Sequence, residues 1–287
     1  MWKLNKPSED ATDIFKECVK NKNEPLRTNL LAYTNLITSS ASEFESKLKS
    51  NEVHKIKRNH SVFDTVPKDA WKKVYDERFV GKTSPGRKYY DKLMLIPPNE
   101  RCPFCNHGVV STLDHYLPKA IYPTLVVNPL NLVACCFDCN KIKSDYEIYK
   151  MEEATIHPYY DDIDTDIWLC AELIKGDILS FKFHVVRPES WNELLYLRMK
   201  THFNLYNLNR LYSSNACSEI VSAQRIILKL YKTSGVEAVK AHLEERIYEY
   251  EFPTINNWRV AMYRELAKNE WFLTVWLEEQ ISGSIAM

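Results

Sequence analysis

Two short cysteine pairs, Cys102-Pro103-Phe104-Cys105 and Cys136-Phe137-Asp138-Cys139, stand thirty residues apart and constrain this chain more than any other feature. A CxxC turn points two thiolates at one ion, and two such turns complete a four-sulfur tetrahedron of the structural zinc type. Four protein ligands leave no open position for water or substrate, so a zinc held there folds the chain and does no chemistry. The interval is longer than in an isolated finger, so the pairs read as a clip around an inserted segment. Cys135 competes with Cys136 as a ligand, but pairing Cys136 with Cys139 keeps the CxxC spacing and leaves Cys135 an apolar place. Cys18, Cys170 and Cys217 read as ordinary buried thiols.

The compartment supports metal over disulfides. The opening MWKLNKPSED has no apolar leader and no apolar run approaches the length of a membrane span, so the expectation is a cytoplasmic protein with no membrane association. Cysteines in such a compartment stay reduced. The formal charge is zero, which argues against nucleic acid, yet its distribution is uneven. Residues 55 to 92 hold eleven Lys or Arg against five acids, with Trp71, Tyr75, Tyr89 and Tyr90 interleaved, whereas residues 145 to 172 hold nine acids against Lys150. A basic run is as readily a solvated face, but aromatic rings among the cations suit stacked bases.

The coarse pattern is α+β in three parts. Residues 1–96 read as helical, with apolar spacing in Ile14, Phe15, Cys18 and Val19 and again in Leu30, Leu31, Tyr33, Thr34 and Ile37, and with Pro25 and Pro67 as punctuation. GKTSPG at 81–86 has only half of a phosphate-binding loop's glycine and lysine spacing. Residues 97–186 change to a proline- and cysteine-rich segment followed by a hairpin turning at Lys175-Gly176-Asp177. Residues 187–287 are helical again, with a break at Thr233-Ser234-Gly235 and a last helix around Trp271 to Glu279.

Between the cysteine pairs stands Leu113-Asp114-His115-Tyr116-Leu117-Pro118-Lys119, and around the second pair runs Asn131 to Lys143, with Asn140 directly after Cys139. Such residues suit phosphodiester hydrolysis. An imidazole can take a proton from water near neutral pH. A carboxylate with an amide oxygen can hold a hard cation while leaving coordination places open. An adjacent acid and base on one strand ordinarily face opposite ways, so a strand end or bulge must turn Asp114 and His115 to one phosphate. A DH pair alone is more often surface or a hydrogen-bonded histidine; it is the two cysteine pairs and the asparagine register that give it weight.

On these residues, over about 100 to 160, the chain resembles the HNH endonuclease family, whose fold is a β-hairpin and a helix clasping one divalent ion. The Lys143-Ser144-Asp145 ending resembles the same segment in HNH domains of CRISPR effector nucleases. The resemblance implies His115 as general base, Asp114 and Asn140 as ligands of the catalytic ion, and Asn131 as the residue that holds the loop and orients His115. Asparagine in the last ligand place, where the family often has histidine, suits Mg²⁺ or Mn²⁺. Lys119 and Lys143 are candidate phosphate contacts, with solvated charge as the plainer alternative. His157 in a turn could return to the metal or be a turn residue, and His107 reads as a loop residue. The expected substrate is DNA in preference to RNA. The opening MWKLNKP and the helical flanks resemble HNH subunits of anti-phage systems such as Septu, which implies an ATPase partner. A non-catalytic zinc-ribbon module that binds nucleic acid or protein is the rival reading.

Overall fold

Helix starts follow local chemistry. In a computed structural model, which describes residues 3–58, 66–176, 178–252 and 254–284, the Asp10 side chain caps α1 (Ala11–Val19) by accepting from the backbone N–H groups of Thr12 and Asp13. Ile14, Phe15, Cys18 and Val19 are its buried stripe, as the 3.6-residue spacing requires. The apolar run after Pro25 is divided between α2 (Leu26–Leu31) and α3 (Thr34–Lys49), with Ala32 and Tyr33 forming the turn. Pro67 precedes α4 (Lys68–Asp76), and α5 (Arg87–Met94) follows the 81–86 loop. A Cβ on Gly86 would lie 2.7 Å from the Arg78 carbonyl oxygen and from the Cys18 sulfur. Gly86 therefore serves close packing, not a phosphate cradle.

These helices surround a small antiparallel pair. Strand β1 (Thr112–His115) pairs with β2 (Leu132–Cys135) so that Asp114 faces Val133 and His115 faces Leu132, and α6 (Phe137–Lys143) follows at once. One core joins Phe15, Trp71 and Val74 of the helices to Leu113, Leu132 and Ala134 of the strands. Phe15 and Trp71 stack with ring centroids 5.7 Å apart. Each such fully buried side chain contributes roughly 1.5–3 kcal/mol, so the helices before the cysteines are what hold the hairpin in place.

The chain divides after residue 162, with Lys3–Asp162 as one compact unit and the residues from Ile163 onward as the other. The second hairpin thus goes with the helices that follow it, not with the cysteine-rich segment, and the N-terminal helices share the unit of the cysteines. In that second unit β3 (Leu169–Ile174) pairs with β4 (Ser180–Val185); residue 177 of the expected turn lies outside the described residues. Buried and open positions alternate along β3, the mark of a sheet with one covered face. Asn256 ties its start down, accepting from the N–H groups of Trp168 and Leu169. Then come α7 (Glu193–Leu205), α8 (Leu208–Tyr250), α9 (Trp258–Lys268) and, after a π-helical turn at Phe272–Trp276, α10 (Leu277–Ser284). The expected break falls inside α8, where Gly235 adopts φ 77°, a conformation only glycine takes without strain. The protein is α+β, and no described helix is long and apolar enough to cross a membrane.

Candidate functional site

The sulfurs of Cys102, Cys105, Cys136 and Cys139 all lie within 4.8 Å of one another and all four residues are buried. Tetrahedral zinc with Zn–S bonds of about 2.3 Å sets its sulfurs about 3.8 Å apart, and the Cys105 and Cys136 sulfurs are 3.9 Å apart. The backbone prepares the cluster. Asn106 turns through φ 51°, its N–H reaches the Cys102 carbonyl at 2.8 Å, and the Gly108 N–H points at the Cys105 sulfur at 3.4 Å. In the other pair the Cys139 N–H points at the Cys136 sulfur at 3.5 Å. Thiol donors, Cys102 first, push the Cys105 thiol down, while burial pushes Cys102 up and sulfur neighbours push Cys139 up. Four crowded buried sulfurs cannot all ionise without a cation, which is the condition zinc meets. Cys135 stands apart, paired with Thr112 across the hairpin, its thiol pushed up by burial.

Beside this cluster a cleft of about 350 Å³ is lined by Asp114 and His115 of β1, Asn140 of α6, Lys119 of the following loop, and Tyr75 and Asp76 of α4. Asp114 and His115 share it because His115 is the last residue of β1, where strand alternation ends.

The His115 ring is held on two sides. Its Nε2 lies 2.9 Å from the Val126 carbonyl oxygen, and the ring meets Tyr75 edge-on with centroids 4.4 Å apart. A carbonyl only accepts, so Nε2 carries the hydrogen and Nδ1 keeps the lone pair. Burial, with the Lys119 and Lys143 cations behind it, lowers the imidazole pKa to about 3. The ring is therefore neutral and of fixed tautomer at neutral pH, and a weaker base than a solvated imidazole.

Asp114 is buried and its carboxyl is pushed up by that burial, against the pull of Lys143. Lys143 Nζ donates to Asp114 Oδ1 at 3.2 Å, lies 3.1 Å from Oδ2, and donates to the His115 carbonyl at 2.6 Å. Asp114 Oδ2 is buried and accepts no well-aligned hydrogen bond, so the Lys143 ammonium at 3.1 Å meets it as a charge contact. Asn140 reaches the Thr112 hydroxyl through Nδ2 at 3.3 Å, which turns its amide within the cleft. One carboxylate and one amide fit a hard ion that retains water, so the donor set is compatible with Mg²⁺ or Mn²⁺.

The other expected residues fall in distinct places. Asn131 is fully buried and does not line the cleft; it accepts from Leu117 N–H at 2.7 Å and donates to the Leu117 and Leu125 carbonyls at 3.0 and 3.3 Å. It thereby pins the loop that ends at Val126. Lys119 lies at the cleft, 2.6 Å from Asp76 Oδ1 and over the Tyr75 ring. Lys143 is buried with Asp114, not turned to solvent. His157 has its Nε2 3.1 Å from the Leu130 carbonyl and its Nδ1 taking the Tyr159 N–H, among the rings of Tyr116 and Tyr160, so it belongs to the core. Thr112 and Tyr75 were not singled out for the cleft. Thr112 was findable, since it stands two residues before Asp114 on the same strand face; Tyr75 was visible only as one aromatic in a basic run.

No protein-family model matches this chain, and no solved structure matches it. Among curated proteins it is similar to protein ea31 of Escherichia phage lambda, 28% identical across 95% of this chain and 99% of that protein. It is also similar to the Septu protein PtuB of Bacillus thuringiensis, 30% identical over 152 residues, half of this chain and 58% of that protein. The likeness to PtuB is partial.

Proposed function

We propose that this protein is an HNH-type nuclease that hydrolyses phosphodiester bonds, in DNA in preference to RNA, within an anti-phage system. The observation that carries the reading is the meeting of an imidazole, a carboxylate and an amide in one cleft against a four-cysteine cluster. His115 Nδ1 would take the proton of the attacking water, with Nε2–H held by Val126 so that the ring neither turns nor changes tautomer. Asp114 and Asn140 would hold Mg²⁺ or Mn²⁺, which when bound supplies positive charge to the phosphoryl oxygens and leaving group. Asn131 acts at one remove, by fixing the loop that carries the Val126 carbonyl. Lys119 at the cleft would meet a substrate phosphate, exchanging Asp76 for it. The zinc cluster would be structural, since its ligand set is full.

The partial likeness to a Septu protein supports the defence setting and a partner such as an ATPase. The likeness to the lambda protein extends along almost the whole chain, so it is not confined to the cysteine-rich segment. A plasmid-nicking assay with Mg²⁺ or Mn²⁺ tests the activity. His115→Ala is expected to abolish cutting while zinc content and melting remain those of a folded chain. Undiminished cutting by that variant would overturn the mechanism.

A further inference from the structure

We infer that Lys143 is the resident counter-ion of the catalytic cleft, and that through it the divalent cation and a nucleic-acid phosphate bind together and not independently. The inference rests on the function proposed above. Charge counting leads to it. The inner charged groups are Asp114 and Lys143, which together carry no net charge. Around them Lys119 and Asp76 pair off, with exposed Asp145 at the rim. A divalent ion arriving alone at Asp114 meets an ammonium already 3.1 Å from its carboxylate, held there by the His115 carbonyl at 2.6 Å. Like charges that close repel strongly where water is scarce. Lys143 cannot retire to solvent, because its side chain is only 2% exposed. A phosphodiester supplies the missing negative charge and can be shared by the ion and the ammonium. Cation and substrate then each raise the other's affinity by the same factor, as linkage demands.

An unpartnered ammonium would be expensive to bury, which explains why Lys143 sits on Asp114 in the free chain. The arrangement also has a functional sense: without nucleic acid the cleft holds its cation weakly, and a nuclease so built is not poised to act on stray water or small phosphates.

The test is Mn²⁺ titration followed by electron paramagnetic resonance on the full, zinc-loaded chain. It is run alone and with a short DNA duplex, in a His115→Ala background so that the duplex survives. The expected result is Mn²⁺ affinity at least about tenfold higher with duplex than without, within the usual range of coupling between sites. Lys143→Met should tighten Mn²⁺ binding to the duplex-free chain by about tenfold and shrink the coupling, because the repelling charge is gone. Lys143→Arg, which keeps the charge, should retain the coupling. A purely structural lysine would give the opposite sign, with Lys143→Met weakening Mn²⁺ binding. Equal Mn²⁺ affinity with and without bound duplex in the Lys143 parent overturns the inference even if Lys143→Met fails to fold, and leaves the proposed nuclease standing. No Mn²⁺ binding under either condition, or binding untouched by Asp114→Asn, overturns the proposed function and this inference with it.

Discussion

The Nε2 atom of His115 lies 2.9 Å from the carbonyl oxygen of Val126, eleven residues on, and that contact decides which nitrogen of the ring is left basic. A hydrogen bond to a backbone carbonyl holds an imidazole more firmly than one to a mobile side chain. It places the demand for precision on the loop between the two residues, and Asn131 is what holds that loop.

Asn131→Ala should therefore damage the site without touching the cleft. It strips partners from Leu117 N–H and from the Leu117 and Leu125 carbonyls, each buried loss costing about 1–3 kcal/mol where water cannot replace the bond. The expected outcome is a lower melting temperature together with a reduced kcat and little change in KM. Chemical denaturation and steady-state nicking kinetics check it.

Acid should destabilise the protein partly through His115. Its folded pKa, about 3, is depressed below the unfolded value of about 6.5. The unfolded chain then binds the proton first, so the stability due to the neutral ring is complete above about pH 6.5 and is lost as pH falls towards 3. Denaturant unfolding at pH 7 and pH 5 should show a larger loss for the parent chain than for His115→Asn, whose side chain does not titrate. The four-cysteine cluster contributes to both chains alike, and an equal loss in the two would contradict the assignment.

Gly108→Ala should disturb the metal cluster from outside it. An added Cβ would lie 2.7 Å from both the Cβ and the sulfur of Cys136, closer than real contacts permit. Elemental analysis should find less than one zinc per chain, and melting should fall. Cys102→Ser should be more severe and unfold the cysteine-rich segment, because structural zinc supplies on the order of 10 kcal/mol of folding free energy.

Lys119→Ala should act on binding alone. The ammonium is partly exposed and paired with Asp76, so folding should change little. If it meets a substrate phosphate, KM rises, kcat holds, and the slope of log affinity against log salt becomes shallower by about one. An unchanged salt slope would assign Lys119 to its Asp76 pair only.

Much of the cleft was legible beforehand because its chemistry is local in sequence. Asp114 and His115 adjoin each other, Asn140 follows Cys139, and the cysteine spacing announces a common ion. The same adjacency hid Lys143. Three residues beyond Asn140 it reads as a phosphate contact or a solvated charge, yet the helix turns it inward to Asp114. His157 was hidden likewise, since a turn histidine and a ligand histidine look alike until the Leu130 carbonyl and the Tyr159 N–H occupy both its nitrogens.

The amino-acid order by itself determined the cysteine clip, the helical stripes and the residue types able to do hydrolysis, because each depends on neighbours within a turn or two of chain. Only the tertiary structure decided which groups meet: that Val126 holds His115, that Tyr75 and Thr112 wall the cleft, and that the second hairpin joins the later helices. Those pairings are set by packing between segments distant in sequence, and no periodicity within a segment encodes the partner it will bury itself against.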